Sequence, residues 1–413
     1  MTMSARFAMH VSSDLTAQAT SSMFVIEREA KPTAAIHLRF QLDCFVASLF
    51  AMTRRGRLFL FCAVALATLG SSAVSHAAEP SALPDYRPEQ TVSGVIRSWG
   101  NPHMAGLLKN WQAGFKKYHP GIAFDDFLKG TASATYGFAE NVAELGLMGR
   151  QIYTFEYYGV YRRSLMLPVE IEVATGSVAV PHKSFALAVF VHRDNPLAQL
   201  TLQQLDGIFG AGRTGGWQGM IWAKEAARTA KENIRTWGQL GLKGEWASRP
   251  IHVYGYNLQF HFPQEIESKA FGGVSKKWNE QLREYDNEAR PDGSFKLAGQ
   301  IMLEDLAKDP AGIAYVAGGA LWKTPDVRML PLSVKTGGPA YELTLQSVHD
   351  RTYPFYGEVF FYLNRDPAKP VDPKVREFMR YILSREGQAQ VMRDGKYLPL
   401  TAEVVREERK KLQ

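Results

Sequence analysis

The stretch SFALAVFVHRDNP, Ser184 to Pro196, constrains the fold of this chain more than any other. Its nearly unbroken apolar run is the pattern of a strand buried on both faces at the centre of a sheet. The segments before it supply the rest of such a sheet. TVSGVIRSW reads as a strand, MAGLLKNWQAGFKKY has helical periodicity, and GIAFDDFL is extended again. A helix after Gly130, a short strand near Glu144 to Met148, a helix over Phe155 to Leu165 and the strand PVEIEVA continue the alternation, which is α/β order. TYPFYGEVFFYLNRD, Thr352 to Asp366, is a second long extended segment, rich in aromatics. With these two segments as crossings, one lobe comprises residues 91–184 plus 354–413 and the other residues 185–353, with a cleft between them. The C-terminal DPKVREFMRYILSREGQAQVMRDG reads as one strong helix, with Asp372 as cap, Pro373 in the first turn and Gly395 beyond its end.

Of the 413 residues, 46% are hydrophobic and 22% charged, which suits a soluble chain long enough for two ordinary domains. Residues 52–77 read as a secretory signal peptide: Arg54, Arg55 and Arg57 precede an apolar run from Leu58 to Leu69, and Ser75 and Ala77 have cleavage-site spacing. That run is too short to span a bilayer, which takes about 20 residues. Residues 1–51 carry no fold signal of their own, so they read as the product of a misassigned start codon or as an extended leader. Residues 78–90, Pro-rich and polar, read as a linker.

Both cysteines, Cys44 and Cys62, precede the cleavage point, so the exported chain has no thiol for disulfide, redox or thiolate–metal chemistry. Residues 1–77 hold seven Lys or Arg and four Asp or Glu, which leaves a mild net charge of +4 on the remainder. That slightly favours an anionic ligand. No dense basic run with interleaved aromatics points to nucleic acid, and the mixed-sign ending REERKKL reads as a solvated helix face.

GIFGAGRTGGW, Gly207 to Trp217, contains the spelling of a dinucleotide-binding loop at Gly210, Gly212 and Gly215. Such a loop must leave a strand and open a helix whose free N–H groups hold the pyrophosphate. Here the order is reversed. Thr201 and Gln204 form a capping box, and Leu202, Leu205, Ile208 and Phe209 fall at helical spacing, so the glycines end a helix. The loop is a terminator and turn, and no cofactor is expected.

In their order along the chain, several segments resemble the type II periplasmic solute-binding proteins, and within them the phosphate-binding subunits of phosphate ABC transporters. FALAVFVHRDNPLAQLTLQQLDGIFGAG looks like that family's central strand, Asn-Pro turn and following helix. IHVYGYN occupies the place of its second ligand loop, AGIAYVAGGAL is similar to its Gly-Ile-x-Tyr-Val segment, YPFYGEVFFYLN resembles its return crossing, and GKYLPLTAEVV its C-terminal ending. The likeness covers nearly the whole exported part. It implies an α/β, two-lobe fold, each lobe a mixed sheet flanked by helices, joined by two crossing strands. It also implies a monomeric extracytoplasmic protein that closes on a small anion, phosphate or a similar oxyanion, and hands it to a membrane permease.

Helix N-termini and hydroxyl groups at such a cleft donate hydrogen bonds to an oxyanion. Three loops fit. WGNPHM offers Asn101 and His103; KGTASAT offers Thr131, Ala132, Ser133 and Thr135, with helix capping as the other reading of Thr131 and Ser133. The second ligand loop offers Tyr256, Asn257 and Gln259, although the aromatics there also suit packing between lobes. The chain departs from the family pattern in LGLMGRQ, where Met148 and Gly149 stand in place of Ser and Asp, and in the second loop, which lacks the family's Arg. Arg150 is the neighbouring source of positive charge, or else a surface residue at a helix start.

Two rivals remain at this point. His103, His119, His252 and His261 are scattered and no nucleophile or metal motif accompanies them, so catalysis is not expected. A sensor or assembly protein with altered or lost specificity fits the same eroded ligand loops.

Overall fold

The structure is a computed structural model that describes residues 83–413 except 182, 320, 321 and 367. The segment read as a signal peptide, the residues before it and the first part of the expected linker lie outside the described residues. Ten strands build two sheets. In chain order they are β1 (Gly94–Gly100), β2 (Ile122–Phe127), β3 (Leu145–Met148), β4 (Val169–Thr175), β5 (Leu187–His192), β6 (His252–Tyr256), β7 (Arg283–Tyr285), β8 (Gly312–Ala317), β9 (Val327–Met329) and β10 (Glu358–Leu363).

The first sheet has the order β2-β1-β3-β10-β4 and the second β7-β6-β8-β5-β9. Both are mixed in the same way. β1 runs parallel to β2 and β3, while β10 lies antiparallel between β3 and β4. β6 runs parallel to β7 and β8, while β5 lies antiparallel between β8 and β9. Each antiparallel strand is the one that enters its sheet from the other lobe. All six residues of β5 are buried, as its apolar run requires.

Helices cover the sheets: α1 (Ala105–Lys116), α2 (Ser133–Ala139), α3 (Thr154–Ser164), α4 (Leu202–Phe209), α5 (His261–Ala270), α6 (Ala298–Leu306), α7 (Leu345–His349), α8 (Pro373–Ile382), α9 (Arg385–Asp394) and α10 (Ala402–Lys410). α1 turns Leu107, Leu108, Trp111 and Phe115 to one face, where they join Phe361 of β10 and Phe378 and Tyr381 of α8 in the first core. Each such side chain contributes about 1.5–3 kcal/mol on burial. A separate core around Phe209, Trp237, Met302 and Tyr315 holds the second sheet.

The two crossings lie side by side. The Gly176 N–H donates to the Gly357 carbonyl at 3.1 Å and the Leu187 N–H to the Phe355 carbonyl at 3.0 Å. Gly357 has φ +69°, and a Cβ there would stand 2.9 Å from the Phe185 carbonyl oxygen, so backbone fills the space a side chain would need.

Three segments differ from expectation. Of Thr352 to Asp366 only Glu358–Leu363 is strand; Tyr353 and Phe355, in the turn before it, are buried in the second core. The single C-terminal helix is two, because Ser384 is extended and caps α9 by accepting the Gly387 N–H at 3.2 Å while its hydroxyl donates to the Tyr381 carbonyl. The linker is fastened at Tyr86, which is buried. His119 Nδ1 accepts the Val92 N–H, so its Nε2–H donates to the Tyr86 oxygen at 2.6 Å, and the Tyr86 hydroxyl donates to Glu377 at 2.7 Å.

The glycine loop does end α4, behind the Thr201–Gln204 capping box. Its interior is filled by its own Arg213, which holds Asp206 through two bonds of 2.7 and 2.6 Å and also donates to the carbonyls of Ala226 and Phe271. A buried ion pair with four of its five guanidinium N–H groups engaged in this way is a structural pin.

Candidate functional site

Three loops of the first lobe converge because β1 and β3 lie close together. Gly100 ends β1 with φ +145°, and a Cβ there would stand 2.2 Å from the Leu147 carbonyl oxygen of β3. Only glycine fits. Its carbonyl accepts the Gly130 N–H at 3.0 Å, which draws the Thr131–Ser133 loop to the Asn101 loop. Asn101 accepts the His103 N–H at 2.9 Å, and its amide nitrogen would stand 3.1 Å from a Cβ placed on Gly149. Lys183, from the first crossing, donates to the His103 carbonyl, and the Ser184 hydroxyl donates to the Gly149 carbonyl at 2.8 Å.

Arg150 is not a surface residue. Its side chain is 15% exposed and its partner Glu156 6%, because the chain folds back at Tyr153 so that Glu156 sits in the first turn of α3. Two bonds of 2.8 Å join them, a third runs from Arg150 to the Gln151 carbonyl at 2.8 Å, and the guanidinium lies 3.7 Å above the Tyr153 ring. Burial works against its charge, but the bonds to Glu156 outweigh it and hold the group more firmly protonated than usual. A guanidinium has five N–H groups. Three are engaged here, so two lack a protein acceptor among the described residues.

The opposite wall is α5. No side chain caps its N-terminus, and His261 and Phe262 occupy its first turn. Burial, helped by the Arg150 charge, pushes the His261 imidazole down to about 4, so it is neutral at physiological pH. About two helical turns further, Lys269 sits 3.0 Å from Glu358 of β10 and 3.5 Å from Glu265. Burial pushes the Glu265 carboxyl up to about 7, and the neighbouring charges raise the Lys269 ammonium. These groups surround a cavity of about 40 Å³ lined by Arg150, Tyr153, Ser184, His261, Phe262 and Lys269 among others.

The residues singled out in the sequence are distributed unevenly around this cavity. Arg150 and Gly149 line it, and Asn101, beside Gly149, does not. Ser133 and Thr135 donate their hydroxyl protons to the carbonyls of Gly130 and Ala132, at 2.7 and 2.8 Å. Neither caps α2: its N-cap is Ala132, without a side-chain bond, and the N–H groups of Ser133, Ala134 and Thr135 bond to the carbonyls of Gly130, Thr131 and Ala132. Tyr256 is buried in the second core, where its hydroxyl oxygen accepts the Ala317 N–H at 3.0 Å. Asn257 donates to Asp286 at 3.1 Å and accepts the exposed Gln259 N–H, which ties both to the loop beside β7.

Lys183, Ser184, Glu265, Lys269 and Glu358 were not foreseen. Their signal was weak: single polar residues at the ends of apolar runs, brought together only by the two crossings.

A PBP superfamily domain matches residues 86–386, well over half of the chain, and the chain belongs to that superfamily. Over 350 residues it is 30% identical to the phosphate-binding protein PstS of Pseudomonas aeruginosa (PAO1), covering 84% of this chain and 95% of that one; PstS of strain UCBPP-PA14 matches to the same extent. Among solved structures it is similar to PstS from Borrelia burgdorferi, at 15% identity and TM-score 0.46, covering 75% of this chain and 99% of that one.

Proposed function

We propose that this chain is an extracytoplasmic solute-binding protein that captures a small oxyanion, phosphate or a phosphate-like group, in the cleft between its lobes for delivery to an ABC transporter permease. The observation that carries it is the 30% identity to a phosphate-binding protein along nearly that protein's whole length. The proposal includes export by residues 52–77, a monomer, no catalytic role, and lobes of residues 91–184 plus 354–413 and 185–353. The anion meets the two remaining N–H groups of Arg150, the neutral His261 ring and the uncapped end of α5.

The same groups select its charge. Glu156 balances Arg150, and Lys269 faces both Glu265 and Glu358, so the lining favours a singly charged or partly protonated oxyanion over a bare dianion. A second reading, a sensor or assembly protein of altered specificity, is favoured by the engagement of the α2 hydroxyl and N–H groups within their own turn.

A thermal-shift titration of residues 78–413 with phosphate, sulfate, molybdate, phosphonates and small organic acids tests both. Ligand at about 100 times its dissociation constant adds roughly 2.7 kcal/mol of stability. A shift with phosphate or a phosphonate is expected; no shift with any compound would leave only the sensor or assembly role.

A further inference from the structure

A second cavity adjoins the polar one. Phe185 and Phe262, which line the cavity beside Arg150, also line this second cavity of about 400 Å³ in the second lobe. Its other walls include Tyr256, Phe260, Leu297 and Trp322, and no described residue lining it is charged. Packing presets the rings: Tyr256 lies 4.6 Å from Phe262 and 5.8 Å from Phe260, centroid to centroid. Two of its polar side-chain atoms are already occupied: the Tyr256 oxygen accepts the Ala317 N–H and Asn287 Oδ1 accepts the Ala298 N–H at 2.9 Å. Aromatic faces make up much of the rest, with an apolar mouth at Leu297, which is 39% exposed.

An inorganic oxyanion has no atoms to place there. It would also depend wholly on the polar half, where Arg150 already shares its charge with Glu156 and the hydroxyl protons of Ser133 and Thr135 are engaged. A ligand with an apolar substituent uses both halves. A cavity of several hundred Å³, mostly apolar with a few convergent polar groups, is the usual form of a site for an organic molecule.

We propose that the ligand is a small organophosphorus anion, a phosphonate or phosphate monoester bearing one aromatic or branched apolar group. Its phosphoryl oxygens sit at Arg150 and His261, and its apolar group lies among Tyr256, Phe260 and Trp322. This deepens the oxyanion-binding function and rests on it.

Calorimetric titration of residues 78–413 with inorganic phosphate, methylphosphonate and phenylphosphonate is the test, together with the variants Leu297→Asp and Leu297→Asn. Leu297 is the N-cap of α6, where Asp and Asn are both favourable, so neither change harms the helix. Phenylphosphonate is expected to bind at least about 10-fold more tightly than the other two, the discrimination an apolar pocket gives for one apolar group. Leu297→Asp is expected to remove that advantage and Leu297→Asn to reduce it, while inorganic phosphate changes by less than about threefold because the mouth is solvent-screened. Inorganic phosphate binding as tightly as phenylphosphonate would overturn the proposal and leave the oxyanion function standing. If none of the three binds, the oxyanion function falls, and this proposal with it.

Discussion

Truncation of Glu156 to Ala strikes the cleft where its energetics are most concentrated. The carboxylate accepts two bonds from Arg150 and a third from the Tyr153 N–H at 2.8 Å, so one substitution removes three hydrogen bonds and strands a guanidinium that is 15% exposed. Breaking a buried pair by removing one partner costs about 3–5 kcal/mol. The lost cap at the start of α3 adds about 1 kcal/mol, and the solvent that reaches Arg150, with its bond to Gln151, offsets a similar amount. The net cost of about 3–5 kcal/mol is a large part of the 5–15 kcal/mol that ordinarily separates folded from unfolded chains. At a urea m value of about 2 kcal/mol/M it moves the midpoint down by roughly 2 M.

The double variant Arg150→Met/Glu156→Leu removes both charges together. It is expected to return to within about 1.5 kcal/mol of the parent, because apolar side chains of similar size replace such pairs at little cost. Urea titration followed by tryptophan fluorescence reads both variants. A loss below about 1 kcal/mol for Glu156→Ala, or a double variant as unstable as the single one, would refute the claim that the pair is a buried charge pair retained for the site rather than for stability.

Two further predictions concern pH and backbone geometry. His261, held at about 4 against 6.5 unfolded, contributes stability that is complete above pH 6.5 and is lost as pH falls towards 4, about 3 kcal/mol in all. Glu265, raised to about 7, has the opposite sign: stability present below pH 4.5 is lost as pH rises through 7. The two therefore partly cancel in the parent, and urea midpoints at pH 4.5, 6 and 8 should show His261→Gln relatively more stable at acid pH and Glu265→Gln relatively more stable at pH 8; parallel profiles for all three proteins would contradict this. Gly100→Ala forces a Cβ against the Leu147 carbonyl at a positive φ and is expected to cost at least about 3 kcal/mol, so an unchanged melting temperature would show that β1 and β3 are not held this closely.

The sheets were legible in the sequence because burial leaves a local imprint. The apolar β5, the alternation up to β4 and the capping box of α4 all depend on residues close together in the chain. The break between α8 and α9 was not legible, since the helical periodicity continues through Leu383 and Ser384 and only the Ser384 bonds to Tyr381 and Gly387 show the turn. For the cleft, the sequence pointed to Arg150 but not to its partner. Glu156 is six residues away across a turn whose geometry Tyr153 sets. Ser133 and Thr135 show the reverse: their composition suggests donors, and their own backbone carbonyls take the protons. Tyr256 and Phe260 could belong to packing or to a pocket, and Tyr256 belongs to both, its ring in the second core and its face on the apolar cavity.

Isothermal titration calorimetry of inorganic phosphate and phenylphosphonate into the parent and the Arg150→Met/Glu156→Leu variant tests the central claim most directly. Hydrogen bonds to a charged group contribute about 1.5–3 kcal/mol each, so loss of the two that Arg150 offers should weaken binding by at least about 100-fold in a variant that remains folded. Parent-like affinity in that variant would mean that the anion is not held at Arg150.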